Sequence, residues 1–425
     1  MKILKIIHGY PPEYNAGSEV YSQSVCNELN KYHEVVIFSR EENDYEPDFV
    51  IRETKTADGI PHYRVNMPRG KDGYNHDLLN KKFKTLVLNL KPDVAHIGHL
   101  SHLSLGIVDI LHELRIPILY TLHDFWLMCP RGQFLQRNFD GKNLYKLCEK
   151  QDNETCANSC YSMYYKNSNN LEDKEYWINW INQRMNDTKA IISKIDLFHA
   201  PSRYLMNRHI TDFNIPSEKI FYLDYGFPLQ YLRPVTKHSE KPFTFGYIGT
   251  HIPAKGINLL LDAFAKIEGD AELKIFGRTN GQNTNALKAK AKQCKNNVIF
   301  AGEYVNQNLA DVVFSNVDCI VVPSIWGENS PLVIHEAQAC NIPVITADFG
   351  GMSEYVQHNV NGLLFKHRDA ESLTQQMEFA LSHQKHLENL GKRGYLYNEN
   401  GSVPSIEDHC LELTKYYKKL IDNGK

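Results

Sequence analysis

Two glutamates, Glu328 and Glu336, bracket the start of an apolar helical run in GENSPLVIHEAQAC, residues 327–340. A helix packed into a core ordinarily carries Ala or Leu at such positions, because a carboxylate is costly to bury without partners. The preceding DCIVVPS reads as a buried strand and IWGENS as the loop leaving its carboxyl end. Ser330 followed by Pro331 predicts a helix start, with a hydroxyl cap and proline at the first helical position. Leu332 then shares a face with Glu336, while Val333, Ala337 and Cys340 form the packing stripe. The helix N-terminus offers free amides and a positive dipole end to a phosphate. A carboxylate further along the helix can accept from vicinal hydroxyls such as those of a ribose, and one before the cap can do the same for a second sugar. A nucleotide-sugar carries both sugars around a diphosphate. Taken alone, the pair also suits a solvated helix start, so its neighbours must decide.

Three neighbouring segments add to it. YIGTHIPAKGINLLLDAF gives a strand ending at Gly249, then Thr250, a loop with Lys255, and Gly256 opening a helix. Lys255 can meet a diphosphate as a point charge or be a plain surface lysine. ADFGGMSEYV places Gly350 and Gly351 after another strand, where the backbone can approach a ligand closely or simply turn. In the first half, HGYPPEYNAGSEVYSQSV follows the opening strand, and YTLHDFW ends a strand at His123 and Asp124.

In order and spacing, YIGTHIPAKG, KIFG, VIFAGEY, DCIVVPSIWGENSPLVIHEAQACNIPVITADFGGMSEYV and NGLLF, over roughly 245–366, resemble the C-terminal half of a GT-B glycosyltransferase of retaining glycosyltransferase family 4. The resemblance implies that Glu336 binds the nucleotide ribose, that Glu328 contacts the donor sugar, that Lys255 pairs with the diphosphate, and that the backbone at Asn329, after Glu328, assists. It implies that the loop at Gly17 approaches the diphosphate or acceptor and that His123 lies near the reacting centre. HAPSRYL, with Ser202 and Arg203, matches a cleft-lining segment of the family. The family often has Arg after the first glycine, where this chain has Thr250, and a second glycine where it has Ala16. Neutralisation of the diphosphate would then lean on Lys255, on helix amides, or on a residue such as Arg278.

No carboxylate stands out as a nucleophile for double displacement, and no D-x-D occurs in the chain. The resemblance favours front-face attack with retention, the leaving diphosphate oxygen taking the acceptor proton, in a hexosyltransferase that needs no metal and no cofactor beyond its nucleotide-sugar co-substrate. A UDP-sugar is favoured by family frequency. A saccharide or lipid-linked saccharide acceptor, in polysaccharide or glycolipid assembly, is implied in the same way. A nucleotide-sugar epimerase or hydrolase, or a non-catalytic sensor, could share the donor site.

These residues need two sheets to hold them. ILKIIHG, EVVIFS, DVAHIGHL, IPILYTLHD, DLFHAPS and IFYLDYG read as buried strands of a first half. TFGYIGT, LKIFG, VIFAG, DCIVVPS and IPVITAD do so after about residue 240, with helical patterns between. The expectation is an α/β chain of two doubly wound Rossmann-like domains: 1–230, with an insertion at about 130–175, then 231–405, and a final helix 406–425 crossing back to the first. The proline-containing stretch 227–242 is the linker candidate. A length of 425 residues is too long for one ordinary core, which agrees.

Charge narrows the partners: 47 Lys+Arg against 50 Asp+Glu leaves no basic excess for nucleic acid. The first residues are broken by Pro11 and Pro12 and do not read as a leader, so a cytoplasmic protein with reduced cysteines is expected. Cys129, Cys148, Cys156 and Cys160 fall in or beside the insertion and could be free thiols or a structural zinc site, although their spacing is not that of a zinc ribbon. NKKFKTLVLNLK, 80–91, could rest peripherally on an anionic membrane or pack on the first sheet.

Overall fold

The structure, a computed structural model, describes residues 1–67, 73–137, 145–165, 171–235 and 242–423. Residues 236–241 of the linker candidate, 138–144 and 166–170 of the insertion, and 424–425 of the final helix lie outside the described residues. The chain forms two compact units, Met1–Gly226 with Ile406–Lys425, and Phe227–Ser405.

The first unit is built on eight strands: β1 Lys2–Ile7, β2 Glu34–Glu41, β3 Ile51–Lys55, β4 Pro61–Asn66, β5 Val94–Ile97, β6 Ile118–Thr121, β7 Leu197–Ala200 and β8 Ile220–Tyr222. Their order is β3-β4-β2-β1-β5-β6-β7-β8, parallel except for the β3–β4 pair. The second unit carries β9 Phe243–Ile248, β10 Ala271–Phe276, β11 Asn297–Gly302, β12 Cys319–Val322, β13 Val344–Ala347 and β14 Gly362–Phe365. These are all parallel, in the order β11-β10-β9-β12-β13-β14. The strand order reverses beside β1 in one sheet and beside β9 in the other. In doubly wound sheets, the crevice at the carboxyl ends of the strands at such a point is where ligands bind.

The apolar runs fold as central strands because both faces are covered: β5, β6, β12 and β13 are buried throughout. β3, β4 and β14 were not anticipated. β3 and β4, IRETK and PHYRVN, mix charged and apolar residues and include Pro61, since β3 is an edge strand and β4 its half-exposed neighbour. The helix Asp77–Leu90 sets Leu79, Phe83 and Val87 inward, with Phe83 5.0 Å from Phe38 of β2. This is the packing reading of the lysine-containing segment.

A polar line crosses the middle of the first sheet. Lys5 of β1, 1% exposed, lies 3.3 Å from His96 Nε2, and burial pulls its pKa down to about 8. His96 also meets Thr121 at 2.7 Å and, through Nδ1, the Tyr417 hydroxyl at 2.6 Å; Thr121 is 3.0 Å from His199 Nδ1. Tyr417 belongs to the last helix, Ile406–Asn423, whose His409 bonds Tyr21 at 2.7 Å. Burial holds His96 and His409 well below the ordinary histidine value, so these rings pair as neutral groups.

Candidate active site

In the second unit the loops leaving β9, β12 and β13 are laced together by their backbones. The Ile325 amide donates to the Ala254 carbonyl at 3.0 Å, and the Gly351 amide donates to the Glu328 carbonyl at 2.8 Å. Two glycines make this closeness possible. Gly256 has φ +74°, and a Cβ there would stand 1.9 Å from the Pro323 carbonyl oxygen. A Cβ on Gly351 would stand 1.3 Å from the Asn329 carbonyl oxygen. The pair Gly350–Gly351, which the sequence offered for close approach to a ligand or for a plain turn, makes room for the chain's own loop 327–329.

That lacing brings Lys255 and Glu328 together. Lys255 ends the 3-10 turn Pro253–Lys255, and its Nζ lies 2.7 Å from Glu328 Oε1. The same oxygen accepts from the Ser324 hydroxyl at 2.6 Å and from the Trp326 indole N–H at 2.9 Å. Glu328 is 5% exposed, and Ser324, Trp326, Asn329 and Ser330 are buried with it. Three donors on one oxygen hold the carboxylate in place and offset its desolvation. Neither Ser324 nor Trp326 stood out in the sequence. Their signal was position alone, within four residues of Glu328 after a strand end.

The helix after the loop spans Leu332–Ala339. Its cap position is Pro331, at φ −64° and ψ 113°, so Ser330, expected at the cap, lies one place outside it. Proline holds the extended entry by its ring. The buried face is Ile334, His335, Ala337 and Gln338, with Cys340 following; Val333 is only half-buried and is not part of the stripe. His335, which belongs to no motif of the sequence, is fully buried and stacks on Phe227 at 5.0 Å and 17°.

Leu332 and Glu336 lie on the half-exposed side of this helix. Glu336 retains some solvent access, yet the protein mass around its carboxyl pushes its pKa up to about 7, opposed by His335. Burial, with the Glu336 charge nearby, also pushes the Tyr304 phenol far up, placing Tyr304, just beyond β11, beside this carboxylate. Gly249 directly follows β9, where a Cβ would stand 2.7 Å from the Tyr247 hydroxyl, and that hydroxyl donates to the Thr250 carbonyl at 3.2 Å. Arg278 is exposed, and its carbonyl accepts from the His251 amide.

In the first unit, His123 follows β6, with Nδ1 2.6 Å from the Tyr225 hydroxyl and its ring 5.4 Å from that of Tyr21. Burial, then the charges of Lys5 and neighbouring histidines, hold it well below the usual histidine value, so it is neutral at pH 7. Asp124 accepts from the Trp126 amide at 2.7 Å and lies 3.3 Å from His99 Nε2. Burial would raise Asp124, but His99 and the Trp126 amide outweigh it and keep the carboxylate ionised. His8, just past β1, packs against His99 at 4.5 Å and meets Glu19 at 3.1 Å. Glu19 lies in the first turn of the helix Gly17–Leu29, which Gly17, exposed, opens. His8, Glu19 and His99 thus mark the β1/β5 switch point. They escaped notice because lone histidines at strand ends carry no motif. Ser202 caps the helix Arg203–Phe213, its hydroxyl accepting from the Leu205 amide at 3.2 Å.

Two doubly wound sheets of this kind are the elements of the GT-B fold, and solved structures agree on it. Over the whole of both chains, the sucrose-phosphate synthase of Thermosynechococcus elongatus has a TM-score of 0.68 at 18% identity. HepE of Anabaena, solved with UDP and glucose, has a TM-score of 0.66 at 15% identity, over 99% of this chain and 100% of that one. Residues 16–230 match Glycosyltransferase Family 4, and residues 230–397 match Glycosyl transferases group 1. The chain belongs to this family and is a glycosyltransferase that takes its sugar from a nucleotide-sugar. An uncharacterised glycosyltransferase of Methanocaldococcus jannaschii is 22% identical over 94% of this chain and 92% of its own length. A D-inositol 3-phosphate glycosyltransferase of Xylanimonas cellulosilytica is 34% identical over 27% of this chain and 28% of its own.

Proposed function

We propose that the chain transfers a hexosyl group with retention from a UDP-sugar to a saccharide or lipid-linked saccharide, without a metal. The observation that carries this reading is the Lys255–Glu328 pair at the β9/β12 switch point, held by Ser324 and Trp326. Lys255 neutralises the donor diphosphate, and Glu328 accepts from hydroxyls of the transferred sugar. The amides entering Leu332–Ala339, through Asn329, Ser330, Pro331 and Leu332, face the phosphates as far as each carries an N–H. Glu336 accepts from the ribose hydroxyls, and Gly249 and Thr250 line the phosphate side.

Catalysis in this scheme is positioning plus stabilisation of the departing charge. The bond from the anomeric carbon to the diphosphate oxygen breaks, and the acceptor oxygen attacks from the same face. Its proton passes to the leaving oxygen. His123, neutral and oriented by Tyr225, acts as a hydrogen-bonding group on the sugar rather than as a charged acid. The loop at Gly17 serves the acceptor side. The likeness to HepE, solved with UDP and glucose, supports uridine among the nucleotides.

Calorimetry with UDP, GDP and ADP tests the donor assignment, using the wild type and Glu336→Ala. Tight binding of UDP alone, weakened about 10- to 100-fold in the variant by the lost charged hydrogen bonds, is the expected result. Folded protein that binds none of the three would overturn the site, and preference for another nucleotide would overturn the uridine choice. Appearance of the sugar on an added acceptor, rather than free in solution, separates transfer from hydrolysis.

A further inference from the structure

Four cysteines of the first unit ring one small cavity. Cys129, Cys148, Cys156 and Cys160 all line it, with room at its centre for about one water-sized particle. None is in a disulfide; Cys129, Cys156 and Cys160 are buried and Cys148 partly so. Local structure brings them there from three directions. Cys129 closes a turn, its amide donating to the Phe125 carbonyl at 2.7 Å. Cys148 comes from a short antiparallel pairing, its amide donating to the Phe134 carbonyl at 2.8 Å, beside the Leu135–Leu147 bridge. Cys156 ends the helical turn Asn153–Cys156, which Asp152 caps, and Cys160 follows in the continuing turn Ala157–Tyr161. Residues four apart on a helix face the same way, so a spacing foreign to zinc ribbons still delivers two thiols to one point.

Hydrogen-bond donors and cations lie around the sulfurs. Gln151 Nε2 is 3.9 Å from the Cys156 sulfur, the Gln136 side chain bonds Cys148, and the Arg137 backbone bonds Cys160. Arg131 and Arg137 act on Cys160 with positive charge, and Lys146 acts on Cys148. Donors and cations around sulfur are what a metal thiolate centre needs to offset its negative charge. Among the described residues no three Cys, His, Asp or Glu side chains are already grouped as a metal cage, so the thiols surround the cavity without meeting.

We propose that these four cysteines close on one thiophilic divalent cation, zinc by ligand chemistry, which pins the insertion. Four thiols release four protons to solvent and bind the cation through four sulfurs, leaving a centre of net charge −2 beside Arg131, Arg137 and Lys146. The centre is structural. The segment it fixes begins directly after Trp126, whose carbonyl accepts from the buried Arg184 guanidinium at 2.6 Å.

The test is metal content and cobalt spectroscopy of the full chain. Purified wild-type protein should hold about one zinc per chain, released only when a mercurial blocks the thiols. Replacing zinc by Co2+ should give intense sulfur-to-cobalt charge transfer in the near ultraviolet and tetrahedral bands in the visible. Cys156→Ser/Cys160→Ser should lose both metal and spectrum, whereas Cys294→Ser, in the second unit, should keep them. Folded wild type without zinc that gives no charge-transfer band with Co2+ would overturn the proposal, as would disulfides among the four. The wild-type spectrum decides the matter even if the double variant fails to fold.

Discussion

The two switch points are built from different chemistry. Beside β9 the site is an ion pair, Lys255–Glu328, set in loops that glycines bring into contact. Beside β1 it is a set of buried rings and a shielded carboxylate, His8, His99, His123 and Asp124, buttressed by Tyr21 and Tyr225. Charge that is paired and lined by donors before any ligand arrives suits recognition of a diphosphate, since the groups need little reorganisation. His123, held neutral by burial, offers a hydrogen bond without charge, which suits a sugar hydroxyl.

Glu328→Ala attacks the charged side where the largest loss is expected. Sugar transfer should fall about 100- to 1,000-fold in kcat/KM while UDP binding falls much less, because Glu328 is assigned to the sugar. Equal losses in both would erase the division of labour between Glu328 and Glu336. Gly351→Ala probes the glycine packing. Its Cβ collides with the Asn329 carbonyl, so the unfolding midpoint of the second unit should drop by roughly 5 °C and UDP binding should weaken with it. Gly17→Ala, at an exposed helix start, should cost no thermal stability, and a comparable drop there would remove the contrast.

Tyr225→Phe acts on the neutral side and should be milder. Loss of the hydrogen bond to His123 Nδ1 should lower kcat about fivefold, with UDP affinity unchanged. The smallest effect concerns Glu336 and pH. Its folded pKa of about 7 exceeds its ordinary 4.5, so between those values the folded chain keeps a proton that the unfolded chain has lost. Stability from this residue is therefore full below pH 4.5 and declines as pH rises through 7, a slope that Glu336→Gln should flatten in denaturant titrations. UDP affinity should move the opposite way, rising through pH 7 as the ribose-accepting carboxylate forms.

Much of the second unit was readable in the chain. Strands such as DCIVVPS and TFGYIGT are buried, and Glu328 and Lys255 sit in the loops that leave them, with Glu336 on the helix after the first. The edge strand β3 and its neighbour β4 were not readable, because a half-exposed strand keeps the polar composition of a loop. Helix entry at Pro331 was misread by one place, since Ser-Pro resembles a hydroxyl cap whether or not the hydroxyl is used. In the first unit, histidines 8, 96, 99, 199 and 409 gave no local signal, because their partners lie far away in sequence. The link from His96 to Tyr417 spans 321 positions.

Sequence by itself determined the fold class, two doubly wound sheets, and which residue types stand at the strand ends, because periodicity and punctuation are local properties of the chain. It could not determine that Lys255 would reach Glu328, that Gly351 would nest against Asn329, or that four scattered cysteines would share one cavity. Those meetings depend on strand order and loop contact, which only the packed sheet and the backbone hydrogen bonds between its loops decide.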